Sequence, residues 1–144
     1  MTATVIAALS AAFGGIAIAG ATYWFTKQRE RDAEWRKEKL EHYKTFVVAL
    51  GGTISGESTS EGQRAFARAC NNLNLVAPQT VIEALREFQQ EIKVSNPKKS
   101  MEKHDNLMAK LFYEIRRDLK ISPSDEPKTF RVGLWASGVK PNDP

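Results

Sequence analysis

Residues 5–25 read VIAALSAAFGGIAIAGATYWF, and the first charged side chain of the sequence is Lys27. A helix rises about 1.5 Å per residue, so about 20 consecutive apolar residues match the hydrocarbon thickness of a bilayer. The aromatic residues at the end of the run fit the belt that forms at a membrane interface. We therefore predict one transmembrane helix over residues 5–25, whose large side chains are Val5, Leu9, Phe13, Ile16, Ile18, Tyr23, Trp24 and Phe25.

Two other interpretations of this run compete with the transmembrane helix. A secretory signal peptide begins with a positive segment, which residues 1–4 lack, and basic residues do not usually follow a cleavage site. A buried helix of a soluble protein rarely runs so long without a charge, although the many alanines and glycines make this run less apolar. The transmembrane interpretation is the best of the three.

Basic residues are concentrated just after the run, and they predict its orientation. The positive-inside rule places such a flank in the cytoplasm, so residues 1–4 would lie outside and the rest of the chain inside. We therefore expect a single-pass protein of the inner (plasma) membrane, with the lipid bilayer as its first partner. The basic residues of this flank are Lys27, Arg29, Arg31, Arg36, Lys37 and Lys39.

One face of the run carries only small residues. Ala7, Ala11, Gly15 and Ala19 recur every four residues, a spacing that lets two helix backbones approach closely in lipid. This face predicts a homo-oligomer, although an alanine-rich run also produces such spacing by chance.

The remainder of the chain predicts an all-α fold. No Gly or Pro interrupts residues 26–50, so the first helix should continue through them as a stalk, and span and stalk together should be about 70 Å long. Within the stalk, an apolar stripe is formed by Leu40, Tyr43, Val47 and Leu50. Gly51 and Gly52 should end it. Residues 51–120 then carry three amphipathic segments that predict a small helical bundle, with a capping box formed by Ser60 and Gln63 at the first of them.

Residues 121–144 change in character and predict an extended tail rich in Pro and Gly. Phe130, Val132 and Leu134 alternate with other residues, and Trp135 follows, which is typical of a single strand or of an extended segment laid on the bundle. Docking on its own domain is the preferred interpretation, because such a set of apolar side chains is unfavourable in water. A partner-binding peptide is the alternative.

The sequence contains no recognisable catalytic, metal-binding or cofactor-binding constellation. The two histidines, His42 and His104, are not spaced as metal ligands, and Cys70 is the only cysteine. No glycine-rich loop leads from a strand into a helix, as a nucleotide site would require. The net charge of +4 lets basic segments face anionic lipid, whereas it indicates nucleic acid only weakly. We therefore predict no enzyme.

The segment EIRRDL, residues 114–119, is the most distinctive charged cluster. Arg116 and Arg117 have the chemistry to bind a phosphate or carboxylate through bidentate contacts. The preferred alternative is a helix end whose charged side chains form ion pairs with one another, and where basic side chains complement the helix dipole.

The leading apolar run, the segment EWRKEKLEHYKTF, then LNLVAP and the late RRDL together resemble uncharacterised bacterial single-span proteins with a small helical cytoplasmic domain. The resemblance implies a bacterial or phage source and assigns no functional residue.

Four functions follow from these observations as expectations. The first is a membrane-anchored module that presents its bundle to a cytoplasmic protein or to a second copy. The second is a membrane-perturbing effector of the phage-defence or toxin type, suggested by the small-residue face. The third is a spanin-like lysis protein, which the charge bias disfavours because that type needs its long domain outside the cytoplasm. The fourth and least favoured is an enzyme, because the sequence contains no catalytic constellation.

Replacing Gly15 with Leu should weaken self-association, because a branched side chain would separate the two backbones where close packing supplies the association energy. Insertion should not suffer, since Leu is more apolar than Gly. A membrane two-hybrid assay measures the change, with Ile18→Leu as the control that adds no bulk. Equal signals from the wild type and Gly15→Leu would refute the oligomer.

Overall fold

A computed structural model of the chain describes residues 2–54 and 58–135, with side chains from residue 18 onward. This part of the chain forms four helices and no strand: α1 Thr2–Gly51, α2 Ser60–Val76, α3 Gln79–Ile92 and α4 Met101–Asp118. The predicted all-α class is confirmed for these residues. Residues 136–144 of the predicted tail lie outside them.

The chain divides into two compact units, Met1–Lys37 and Glu38–Pro144. Among the residues described, no helix is both long and apolar enough to cross a membrane. The predicted span and its small-residue face fall largely outside the described side chains, at Val5, Ala7, Leu9, Ala11, Phe13, Gly15 and Ile16. Ala19 is described and exposed. The transmembrane helix therefore stays a prediction.

In the first unit, polar side chains of α1 pair along the helix. Lys27 Nζ lies 2.7 Å from Glu30 Oε2, and the Arg31 guanidinium donates to Gln28 Oε1 at 2.6 Å. Residues three apart face each other on a helix surface, and each exposed pair of this kind adds only about 0.2–0.5 kcal/mol. These contacts support the helix locally without adding a core.

The core of the second unit begins with the last turns of α1. Phe46 is fully buried and Tyr43 and Leu50 nearly so, whereas Leu40 is exposed. The predicted apolar stripe of α1 was therefore partly wrong, because it included the exposed Leu40 and missed the fully buried Phe46. Val47 packs at the margin of the core. The other helices contribute buried side chains on one face each: Ala69, Cys70 and Leu73 of α2, Val81, Ala84, Leu85 and Phe88 of α3, and Met108, Leu111 and Ile115 of α4.

The start of α2 differs from the predicted capping box. The N-cap is Thr59, whose Oγ1 accepts a hydrogen bond from Gly62 N at 3.0 Å, and Gln63 reaches back to Ser58 Oγ at 3.2 Å. The prediction was thus wrong by one residue, because Ser and Thr are both favoured N-cap residues and stand side by side over residues 58–60. Gly62 sits against the loop after α1, where a Cβ would collide with the carbonyl oxygen of Gly52.

Helix α4 ends in a Schellman motif. Ile121 N donates to Arg116 O at 3.1 Å, and Lys120 N donates to Arg117 O at 3.0 Å. Lys120 holds the left-handed position of this motif with φ of 55°. Glycine is the usual residue there, because it has no Cβ to clash with the backbone.

Lys120→Gly should therefore stabilise the fold, by about 0.5–1 kcal/mol after the extra freedom of glycine in the unfolded chain is subtracted. Urea unfolding followed by circular dichroism measures the change. Lys120→Ala is the matched control, since it removes the same charge but keeps the Cβ. Identical unfolding midpoints for the Gly and Ala variants would contradict the role of the left-handed backbone.

Candidate functional site

Asp118 at the end of α4 binds two side chains of α1. Lys39 Nζ lies 3.0 Å from both carboxylate oxygens, and the Tyr43 hydroxyl donates to Oδ2 at 2.7 Å. The Lys39 and Asp118 side chains are only 12% and 13% exposed. Burial, and then the bond to Asp118 with its charge, raise the pKa of Tyr43 far above its usual value. Tyr43 therefore stays a phenol that donates to the carboxylate, and the group connects α1 to α4.

Both arginines of the segment EIRRDL have carboxylate partners within the chain. Arg116 forms a bidentate pair with Asp125, at 2.6 Å from Nε to Oδ2 and 3.1 Å from Nη2 to Oδ1. That pair raises the pKa of Arg116 and lowers the pKa of Asp125, chiefly through the hydrogen bonds. Arg117 pairs with Glu114. The geometry thus matches a helix end whose charged side chains form ion pairs better than it matches a site with arginines free to bind an anion.

Aromatic rings cover both arginines. The Arg116 guanidinium lies 5.8 Å from the centre of the Phe130 ring, and the Arg117 guanidinium lies 5.9 Å from that of Tyr113. The two rings meet edge to face, with centroids 6.0 Å apart. Phe130 of the tail is therefore held at the end of α4 by stacking and cation–π contacts.

The tail residues singled out in the sequence divide into two groups. Val132 and Leu134 are partly buried and pack against the core, whereas Trp135 is 96% exposed. Residues 130–135 form no regular strand, so the extended segment is the alternative that fits. The hydrogen bonds of residues 128–131 are local, to Glu126, Lys128 and Phe130. Side-chain packing therefore positions this part of the tail.

A cavity of about 730 Å³ opens in the second unit near the start of α4. Its walls are mainly apolar and come from all four helices and the tail: Leu50, Phe66, Phe88, Met108, Val132 and Leu134. Polar groups stand among them, including Gln63, Lys99 and His104. Size and lining fall within the range of small-molecule pockets, which makes this the candidate binding cavity.

Glu91 is a charged residue in the wall of this cavity, and it is almost fully buried. Its Oε1 accepts from Ser100 N at 2.8 Å, and its Oε2 lies 2.9 Å from Lys103 Nζ. Lys103 and then the Ser100 amide lower the pKa of this carboxyl. Sequence reasoning missed Glu91, although it lies three residues after Phe88 and hence on the same buried face of α3.

The histidines and the cysteine do not form a reactive group. His104 Nδ1 lies 2.9 Å from Asp105 Oδ1, and its ring lies 5.3 Å from that of Phe88. Cys70 is buried, which raises the pKa of its thiol. Over residues 18–54 and 58–135, no three His, Cys, Asp or Glu side chains gather as a metal site would require.

No protein-family model matches this sequence, and no curated protein and no solved structure shows significant similarity to it. The resemblance to bacterial single-span proteins therefore stays a prediction from the sequence.

Removing the Tyr43 hydroxyl should destabilise the second unit, because the largely buried Asp118 carboxylate loses a charge-assisted hydrogen bond. Such bonds contribute about 1.5–3 kcal/mol, so we expect Tyr43→Phe to cost about 1–2 kcal/mol in urea unfolding. Tyr113→Phe is the control, since this half-buried hydroxyl makes no hydrogen bond within the described residues. Equal losses in the two variants would show that the contact with Asp118 adds nothing.

Proposed function

We propose that the chain is a single-pass membrane protein whose helical bundle acts as an interaction module for a cytoplasmic protein or for a second copy. The proposal combines two features of α1. Its last turns supply Tyr43, Phe46 and Leu50 to the core of the second unit. Its beginning carries the uncharged run of residues 5–25, which has the length and composition of a membrane span.

The exposure of the apolar residues at the end of that run is the observation that carries the proposal. Ile18, Tyr23, Trp24 and Phe25 are each between 58% and 70% exposed. Contiguous large apolar side chains are unfavourable in water and mark surfaces that another phase or partner covers. This exposure favours contact with lipid over the alternative of a buried helix in a soluble protein.

The proposed location is the inner (plasma) membrane, with residues 1–4 outside and the bundle in the cytoplasm. The basic residues that follow the run support this orientation. A bacterial or phage source is the corresponding proposal for its origin, and it rests on the resemblance of the sequence alone.

An interaction module is preferred over an enzyme because the distinctive polar groups serve the fold. Arg116, Asp118 and Glu91 are each engaged by partners within the chain. In contrast, several apolar side chains lie on the surface of the second unit, which suits contact with a partner: Val48, Leu75 and Trp135.

A membrane-perturbing effector, of the phage-defence or toxin type, is the second candidate function. The recurrence of Ala7, Ala11, Gly15 and Ala19 favours it, because close helix packing can assemble several spans. Dye release from liposomes separates the two functions. Leakage that rises with protein density would support the effector, and intact vesicles at high density would exclude it.

The topology provides the direct test of the proposed anchor. Alkaline phosphatase fused after Pro144 should be inactive in a bacterial host, because the enzyme matures only outside the cytoplasm, whereas a fluorescent protein fused there should fluoresce. The same fusions to a chain lacking residues 1–25 form the control, and they should leave the membrane fraction. A strongly active phosphatase fusion would reverse the orientation and favour the spanin-like function.

A further inference from the structure

The connection between α3 and α4 has an unusual surface. Residues 93–101 read KVSNPKKSM, and we call this segment the basic loop. Val94 is 96% exposed and Met101 is 76% exposed, so two large apolar side chains project into solvent within eight residues. Both border the same cavity together with Lys99, which places them on one side of the second unit.

The shape of the basic loop is set by the buried carboxylate of Glu91. Glu91 accepts a hydrogen bond from Ser100 N at 2.8 Å, and its backbone carbonyl accepts from Asn96 Nδ2 at 3.0 Å. Asn96 N also donates to Lys93 O at 2.9 Å. These bonds hold both ends of the loop, so the exposure of Val94 is a consequence of a defined turn.

The lysines of the basic loop have no carboxylate partner within the part of the chain that the structure describes. Lys93, Lys98 and Lys99 are all exposed, and none takes part in the ion pairs formed among residues 18–54 and 58–135. Lys103 nearby is the exception, because it pairs with Glu91. The loop therefore presents three uncompensated positive charges beside two exposed apolar side chains.

We propose that the basic loop binds an anionic lipid surface, with Val94 and Met101 entering the headgroup region and the lysines contacting phosphate or carboxylate groups. Membrane-surface binding combines these two contributions, apolar insertion and attraction to anionic lipid. The inference deepens the proposed function, since it gives the bundle a lipid contact besides the predicted span.

The composition of the loop favours lipid over the other anionic partners. Protein interfaces depend on aromatic and Arg side chains as anchors, and proteins that bind single-stranded nucleic acid stack its bases on aromatic side chains. Residues 93–101 contain no aromatic residue and no Arg. Lysine is a flexible point charge that needs no planar, bidentate partner, which suits a fluid surface of headgroups.

The test uses the full chain with an environment-sensitive fluorophore on Val94→Cys, in vesicles of phosphatidylcholine with and without phosphatidylglycerol. Cys70 is 2% exposed, so the label reacts with the new cysteine. We expect blue-shifted emission and quenching by brominated lipid only when phosphatidylglycerol is present. A label on Ser124→Cys, an exposed position bordering a different cavity, is the control and should not respond.

The lysines are tested in the same system with the double substitution Lys98→Gln and Lys99→Gln. Each lysine near an anionic surface should strengthen binding about fivefold, so the double variant should need a higher fraction of phosphatidylglycerol for the same shift. Circular dichroism verifies that the variant is folded, which is expected for two exposed side chains. Unchanged emission on adding phosphatidylglycerol, or an unaltered response in the folded double variant, would overturn the proposal.

Flotation of the unlabelled chain separates failure of the loop from failure of the anchor. Flotation with pure phosphatidylcholine vesicles, without a phosphatidylglycerol-dependent signal at residue 94, would support the anchor and refute the loop. Flotation only with phosphatidylglycerol, lost in the double-lysine variant, would support the loop and refute the anchor. A signal at residue 94 that brominated lipid does not quench would indicate a protein contact and also refute the loop.

Discussion

Asp118 is the residue on which the arrangement of the second unit most depends. A carboxylate that is largely removed from water is unfavourable unless opposite charge and hydrogen-bond donors reach it. Lys39 and Tyr43 meet that requirement from α1. Because both lie on one helix, four residues apart, satisfying Asp118 also sets the rotation of α1 and thereby directs Phe46 and Leu50 into the core.

The same helix end positions the tail. Two residues before Asp118, Arg116 binds Asp125 and stacks on Phe130, and Lys120 turns the chain through its left-handed backbone. The tail then runs so that Val132 and Leu134 reach the core. A charged segment that suggests a binding site in sequence therefore functions as a connection between elements, since its ions are paired inside the chain.

Glu91 has a comparable role at the opposite end of α4. Its buried carboxylate holds Ser100, the N-cap of α4, and thereby shapes the loop that precedes this helix. Glu91 pairs with Lys103 of α4, and the lysines of the basic loop face solvent together with Val94 and Met101. The buried charges stabilise the bundle, whereas Lys93, Lys98 and Lys99 form no ion pair among residues 18–54 and 58–135.

The sequence by itself determined the helical class, the end of α1 at Gly51 and the three amphipathic segments that follow, because 3.6-residue periodicity and glycine act locally. It also contains the argument for a membrane anchor, which follows from length and charge alone.

Tertiary structure decided what local patterns leave open. Leu40 and Phe46 are both apolar residues of α1, and only the partner helices select which one is buried. Lys39, which binds Asp118, lies 79 residues from it, and Asp125, which binds Arg116, lies 9 residues from it. The burial of Glu91 depends on a loop that folds back over it. Such choices depend on contacts between segments distant in sequence, and no local periodicity encodes them.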